Sequence, residues 1–110
     1  MNYFVKSIIS LAVLSFSSWN AQAQCVMNEQ GYVDIAGYYV CTGYCQVYGG
    51  ATYVTQNADK IVLINEKSQT ATGEIDHLGG NSTDWGVTFE ITNNCKQIVF
   101  SNSTIWLKNK

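Results

Sequence analysis

The chain reads as an all-β protein, a small antiparallel meander of about seven strands forming a barrel or sandwich and stapled by disulfides. Three observations lead there. Apolar residues recur at every second position, most plainly in Trp85, Val87, Phe89 and Ile91 against Asp84, Gly86, Thr88, Glu90 and Thr92; this is the pattern of a strand with one dry and one wet face. Clusters of Asn, Gly and Ser break these runs at short intervals, and short connections favour antiparallel neighbours. Four cysteines sit in a chain of 110 residues, a size at which staples add much to a thin core.

The first 23 residues read as a cleavable signal peptide. Lys6 supplies the positive start, Ser7 to Phe16 the short apolar core, and Ala21-Gln22-Ala23 the small-x-small cleavage site. That core is too short to cross a bilayer, which takes about 20 residues. Gln24 before Cys25 is neither small nor apolar, which argues against a lipid-modified cysteine. Residues 24–110 then form a single β domain with five lysines and eight acids. A weakly acidic surface favours solubility, and no membrane span is expected after cleavage. The chain has no arginine and no basic stripe, so nucleic acid is not an expected partner.

The strands follow in order. Ile35 to Thr42 is rich in Tyr and Val, while Ala51 to Gln56 and Thr70 to Asp76 are shorter and threonine-rich. Between them, Lys60 to Ile64 carries a continuous apolar run, as in a central strand covered on both sides or one closing a barrel. The alternating run ends at Thr92, and Gln97 to Ser101 and Thr104 to Lys108 close the chain. Turns are expected at Gly49-Gly50, Asn57-Ala58-Asp59, Lys67-Ser68-Gln69, Gly79-Gly80-Asn81, Asn93-Asn94 and Asn102-Ser103, the last as a two-residue hairpin turn. No stretch of residues 24–110 shows helical periodicity.

An even number of cysteines in a small exported chain is read as two disulfides, since the destination is oxidising. Zinc would want a Cys-x2-Cys clasp, whereas the close pair here is Cys41-Thr42-Gly43-Tyr44-Cys45. Four cysteines allow three connectivities. A Cys41–Cys45 staple across a turn is favoured, and Cys25–Cys95 follows by elimination. A redox role for the close pair is disfavoured, because its Tyr/Val/Gly context is that of a strand and not of a helix N-terminus.

Cys41-x-Gly43-x-Cys45, Gly49-Gly50, Val54-Thr55-Gln56-Asn57, Leu63 with Asn65-Glu66, Gln69, and Asn102-x-Thr104-x-Trp106 together resemble a group of small exported bacterial β-proteins of unknown function. The resemblance starts at Cys41 and departs at Ala58, where glycine is expected; Cys25 and Cys95 are not part of it. It implies export to the periplasm or medium and a β fold, and it brings no activity, ligand or catalytic residue.

Chemistry is sparse. His77 is the only histidine, no serine sits in a Gly-x-Ser-x-Gly elbow, and the cysteines are expected to be oxidised, so no nucleophile–base set is visible. Most acids fall in turns or on wet strand faces, and a hydrolase using paired carboxylates is the least favoured function. Asp76, Asn81 and Asp84 flank one glycine-rich loop and offer oxygens to calcium without EF-hand spacing; no metal or cofactor is expected. The aromatics are more telling. Tyr44 and Tyr48 lie in or beside the Cys41–Cys45 turn and Gly49-Gly50, where a flat ring with a hydroxyl suits a sugar or protein surface. A non-catalytic binding or inhibitory module for an envelope protein or saccharide is therefore the leading expectation. A structural or stress-related envelope protein without a dedicated ligand is the alternative.

Overall fold

The computed structural model describes residues 25–109; the leader expected over residues 1–23 lies outside them. Eight strands run in chain order: β1 Gly37–Gly43, β2 Ala51–Asn57, β3 Lys60–Ile64, β4 Thr70–Asp76, β5 Gly79–Ser82, β6 Val87–Thr92, β7 Gln97–Phe100 and β8 Ile105–Lys108. Each pairs antiparallel with the next, and β8 returns to pair antiparallel with β1, through Tyr39↔Lys108, Val40↔Leu107 and Cys41↔Trp106. The sheet is thus a closed up-and-down barrel and not a sandwich.

Period two sorts the side chains. Tyr39, Cys41, Val54, Ile61, Leu63, Ile75, Phe89, Ile91, Ile98, Phe100 and Trp106 are buried in one core. Their chain neighbours Tyr38, Val62, Glu74, Glu90, Val99 and Leu107 are half-buried or exposed. Each fully buried aliphatic contributes about 1.5–3 kcal/mol relative to exposure. The apolar run in β3 resolves the same way: Ile61 and Leu63 are buried, and Val62 and Ile64 are half-buried. It is one wall of a barrel.

The expected count of about seven strands resolves to eight. Gly79-Gly80-Asn81 was expected as a turn and instead begins β5; the turn is His77-Leu78, with His77 at φ +60°. The glycine has a steric reason here. Gly80 pairs with Phe89, and a Cβ on it would lie 2.2 Å from the Glu74 carbonyl oxygen and 2.4 Å from Phe89 Cζ. The phenyl ring occupies the space a side chain would need. Three smaller corrections follow. β6 starts at Val87, because Thr83 to Gly86 form a turn in which Gly86 takes φ +66°. β1 starts at Gly37, and Ile35 belongs to the segment before it. The Asn102-Ser103 turn is a three-residue loop: Ser103 N–H donates to Phe100 O, Phe100 N–H donates to Thr104 O, and Ser103 sits at φ +77°.

The two ends of the barrel differ. At the end where β1 begins, residues 25–36 form a strap that seals the interior. Val33 and Ile35 are buried beneath the strands, and Met27 and Val33 form a short bridge. Gln56 clamps the strap, accepting from Ile35 N–H at 2.8 Å and donating to Val33 O at 2.9 Å. Asn28 Nδ2 donates to Ala58 O at 3.0 Å, and Tyr39 Oη donates to Ile35 O at 2.7 Å. Burial and the nearby Asp34 charge push the Tyr39 phenol well above its ordinary pKa, keeping it a donor. Lys108 Nζ donates to Ala36 O and lies 5.3 Å above the Tyr39 ring. The Cys25–Cys95 disulfide fastens the strap to the β6–β7 turn, and Cys41–Cys45 closes the end of β1. The favoured pairing is the one present. Such bridges belong to an oxidising, extracytoplasmic setting. Among the described residues no helix is long and apolar enough to cross a membrane.

These features set opposite expectations for single changes. Ala58 sits at φ +58°, so Ala58→Gly should raise stability by about 0.5–1 kcal/mol, seen as a few degrees in the calorimetric midpoint. Gly80→Ala should lower it by about 2 kcal/mol or more, because backbone and ring both block the new methyl. Replacing Cys25 and Cys95 together should cost about 4 kcal/mol by loop entropy, and Cys41 with Cys45 about 2 kcal/mol, in non-reducing denaturant titrations.

Candidate functional site

The end opposite the strap is open. There the β1–β2, β3–β4, β5–β6 and β7–β8 loops gather around a cavity of about 310 Å³. Its floor is aromatic. Trp106 is only 1% exposed, with Phe100 edge-on at 4.9 Å between ring centres and Trp85 edge-on at 6.5 Å. Val87 adds an apolar wall, and above these rings comes a belt of polar side chains: Gln46, Asn65, Glu66, Gln69, Asn102 and Thr104.

Local geometry holds each member of the belt. The Cys41–Cys45 bridge folds the chain back at the top of β1, with Tyr44 at φ +49°. Cys41 N–H donates to Gly50 O, and Gly49 N–H returns a bond to Cys41 O. Glu66 anchors this loop from the next hairpin: its Oε2 accepts from Gln46 N–H at 2.7 Å and Val47 N–H at 3.2 Å. Gly50 is glycine for that reason, since a Cβ there would lie 2.6 Å from Glu66 Cβ. Asn65 Oδ1 accepts from Lys67 and Gln69 N–H, bending the β3–β4 loop, and its Nδ2 donates to Gln69 Oε1 at 2.8 Å. Asn102 Oδ1 accepts from Thr104 N–H, and Thr104 Oγ1 donates to Tyr44 O at 3.2 Å. The belt is a pre-set ring of amides with one hydroxyl and one carboxylate.

One atom in this region lacks a partner. Trp106 Nε1 is buried and makes no hydrogen bond. Leaving such a donor unmatched costs about 1–3 kcal/mol. An aromatic floor and a belt of amides with one hydroxyl and one carboxylate together suit a small ligand that carries both an apolar face and polar groups.

The residues singled out in sequence fall in several places. Tyr44 stands on the rim of the cavity, 74% exposed. Tyr48 is also exposed, outside the lining, and its hydroxyl accepts from Tyr44 N–H at 3.2 Å. Cys41 is buried at the top of β1 and Cys45 half-buried in the loop beyond it; Cys25 and Cys95 are at the sealed end. Sulfur atoms of Cys41 and Cys45 and a Glu66 oxygen lie within 4.8 Å of one another, but the sulfurs are bonded to each other and offer no thiolate. His77 belongs to the sealed end. Asp76 and Asp84 lie at opposite ends of β5, so the calcium grouping with Asn81 is not assembled. Asp84 instead accepts from Thr72 N–H and Oγ1, which lowers its pKa.

In the sequence, Trp85 stands on the dry face of an alternating run, and Asn65, Glu66, Gln69, Asn102, Thr104 and Trp106 stand in the resemblance pattern. Their convergence at one mouth went unread. The signal that could have found it is parity with β5 counted, because in a meander every second hairpin loop lies at the same end. A second, broader depression of about 770 Å³ crosses β2 to β5, but its charged groups, Lys60 and Glu74, are paired with each other.

Comparison of the chain with protein-family models, with curated proteins and with solved structures gives no match.

The Asp84 contacts predict an acid-side dependence. A carboxylate with a lowered folded pKa contributes stability above its unfolded value, and that contribution fades as pH falls through the folded value. NMR titration of the Asp84 carboxyl should show a midpoint below the ordinary 3.8. In Thr72→Val, which keeps the N–H and loses the hydroxyl, the midpoint should move back up.

Proposed function

We propose that the protein is an exported, non-catalytic binding module that takes a terminal group of an envelope saccharide or protein into the open mouth of its barrel. The carrying observation is the contrast between the ends: the strap plugs one, while the other opens onto a cavity lined by half-buried Trp85 and a polar belt. The disulfides at both ends keep the frame rigid, which lowers the ordering a ligand must impose. Its non-catalytic character accords with the cavity lining, where Glu66 is the single carboxylate and the sole histidine is at the far end.

Residues 24–110 contain two tryptophans, Trp85 and Trp106, and both line the cavity. Intrinsic tryptophan emission of the oxidised chain from residue 24 therefore reports on the mouth alone. Titration with fractionated saccharides and peptides from the host envelope should give a saturable change in emission. Tyr44→Ala should weaken it at least tenfold, while Tyr48→Ala acts less, because Tyr48 touches the rim only through Tyr44 N–H. Emission indifferent to every fraction would overturn the proposal and favour the structural alternative.

A further inference from the structure

Resting on the mouth as the binding site, we propose that its occupant is a single neutral sugar ring in pyranose form, received apolar face down on Trp85. Size comes first. A volume of about 310 Å³ is room for about ten waters at roughly 30 Å³ each, enough for one ring and too little for a buried oligosaccharide chain. The floor comes second. Trp85, half-buried in the lining, offers aromatic surface to the C–H face of a ring, which is the apolar side of an otherwise hydroxylated molecule, and Trp106, 1% exposed, packs edge-on behind it.

Polarity then narrows the class. The groups left free in the lining are of both kinds. The Nε2 amide of Gln69 and the Nδ2 amide of Asn102 make no hydrogen bond to another described residue, since both side chains are held through their oxygens. Gln46 Oε1 and Glu66 Oε1 likewise accept from no other described residue. Hydroxyls, each both donor and acceptor, answer the two kinds together, whereas a purely apolar ligand answers neither. Charge excludes the acidic sugars. Glu66 is the one charged side chain in the lining, and no lysine joins it, so a uronate or a sugar phosphate would meet a carboxylate with no cation to offset it. An extended peptide is the less suitable occupant, because the closed barrel has no strand edge for it to extend and the cavity is blind.

The test is a ¹⁵N–¹H NMR titration of the oxidised chain from residue 24, following both indole cross-peaks. Methyl glucopyranoside, methyl galactopyranoside and N-acetylglucosamine are the neutral probes, with glucuronate as the acidic one. The expected result is a saturable shift of the Trp85 indole with at least one neutral sugar and at least tenfold weaker binding of glucuronate. Gln69→Ala and Asn102→Ala are surface changes that should leave the fold intact and weaken binding at least threefold each. Glu66→Gln should narrow the gap between neutral sugar and uronate.

Equal binding of glucuronate and the neutral probes would overturn the assignment. So would a Trp85 response to toluene or to a tetrapeptide mixture with none to sugars, although the mouth would then remain a binding site. Indole peaks unmoved by every sugar, by toluene and by peptides would sink both the sugar and the mouth.

Discussion

Closure of the sheet between β1 and β8 is the constraint on which the rest of the molecule depends. An antiparallel meander returns to its first strand in the antiparallel sense only when the number of strands is even. Seven strands would leave the first and last pointing the same way, and the ladder from Tyr39↔Lys108 to Cys41↔Trp106 could not form. The strand that makes the count even is the short β5, whose Gly-Gly-Asn-Ser sequence has almost no intrinsic preference for a sheet. It is held by its neighbours: Glu74 and Ile75 on one side, Thr88 and Phe89 on the other. The Phe89 ring fills the space that Gly80 leaves empty. Tertiary packing overrides local propensity here, and the whole interior relies on that substitution of ring for side chain.

Closure also creates two ends with separate tasks. The strap fills one with Val33 and Ile35, and Gln56 satisfies the backbone groups that the strap buries. The other is left with a tryptophan floor and a belt of amides fixed by their own hydrogen bonds. Polar residues at the mouth therefore do two jobs. Glu66 and Asn65 shape the loops with their oxygens, while Gln69 and Asn102 keep their N–H groups turned outward from those internal bonds. A rim assembled in this way is ordered before any ligand arrives.

Much of this was legible in the residues. Period two marks β6, and residue content with turn signals marks β1 to β4, β7 and β8, to within a few positions, and the favoured cysteine pairing is the one present. What resisted reading was β5, because glycines that serve a cross-strand ring look the same as glycines that serve a turn. The consequence extends beyond one strand. Missing β5 reverses the direction of every strand after it, which moves Asn102 and Thr104 to the sealed end and Cys95 to the open one. Tyr44 could be picked out from its place beside a strained turn. Trp106 could not, since burial in a core and burial beneath a cavity produce the same alternation. The strap was equally silent: Ile35 reads as the start of a strand, and nothing local announces that Gln56 will hold it.

The two disulfides differ in what they ask of the chain. Cys41 and Cys45 are four positions apart and meet within a single turn, whereas Cys25 and Cys95 are separated by 70 positions. Only the finished barrel brings the distant pair together. Cys25 precedes Cys41 in synthesis and has no native partner within reach until β7 and β8 have closed the sheet. Once closed, the sheet holds the two bridges at opposite ends of the barrel. Thiol–disulfide exchange between them needs direct contact of sulfur atoms. The barrel is therefore both template and barrier: it selects the correct partner for Cys25 and then prevents any scrambling with the pair at the mouth.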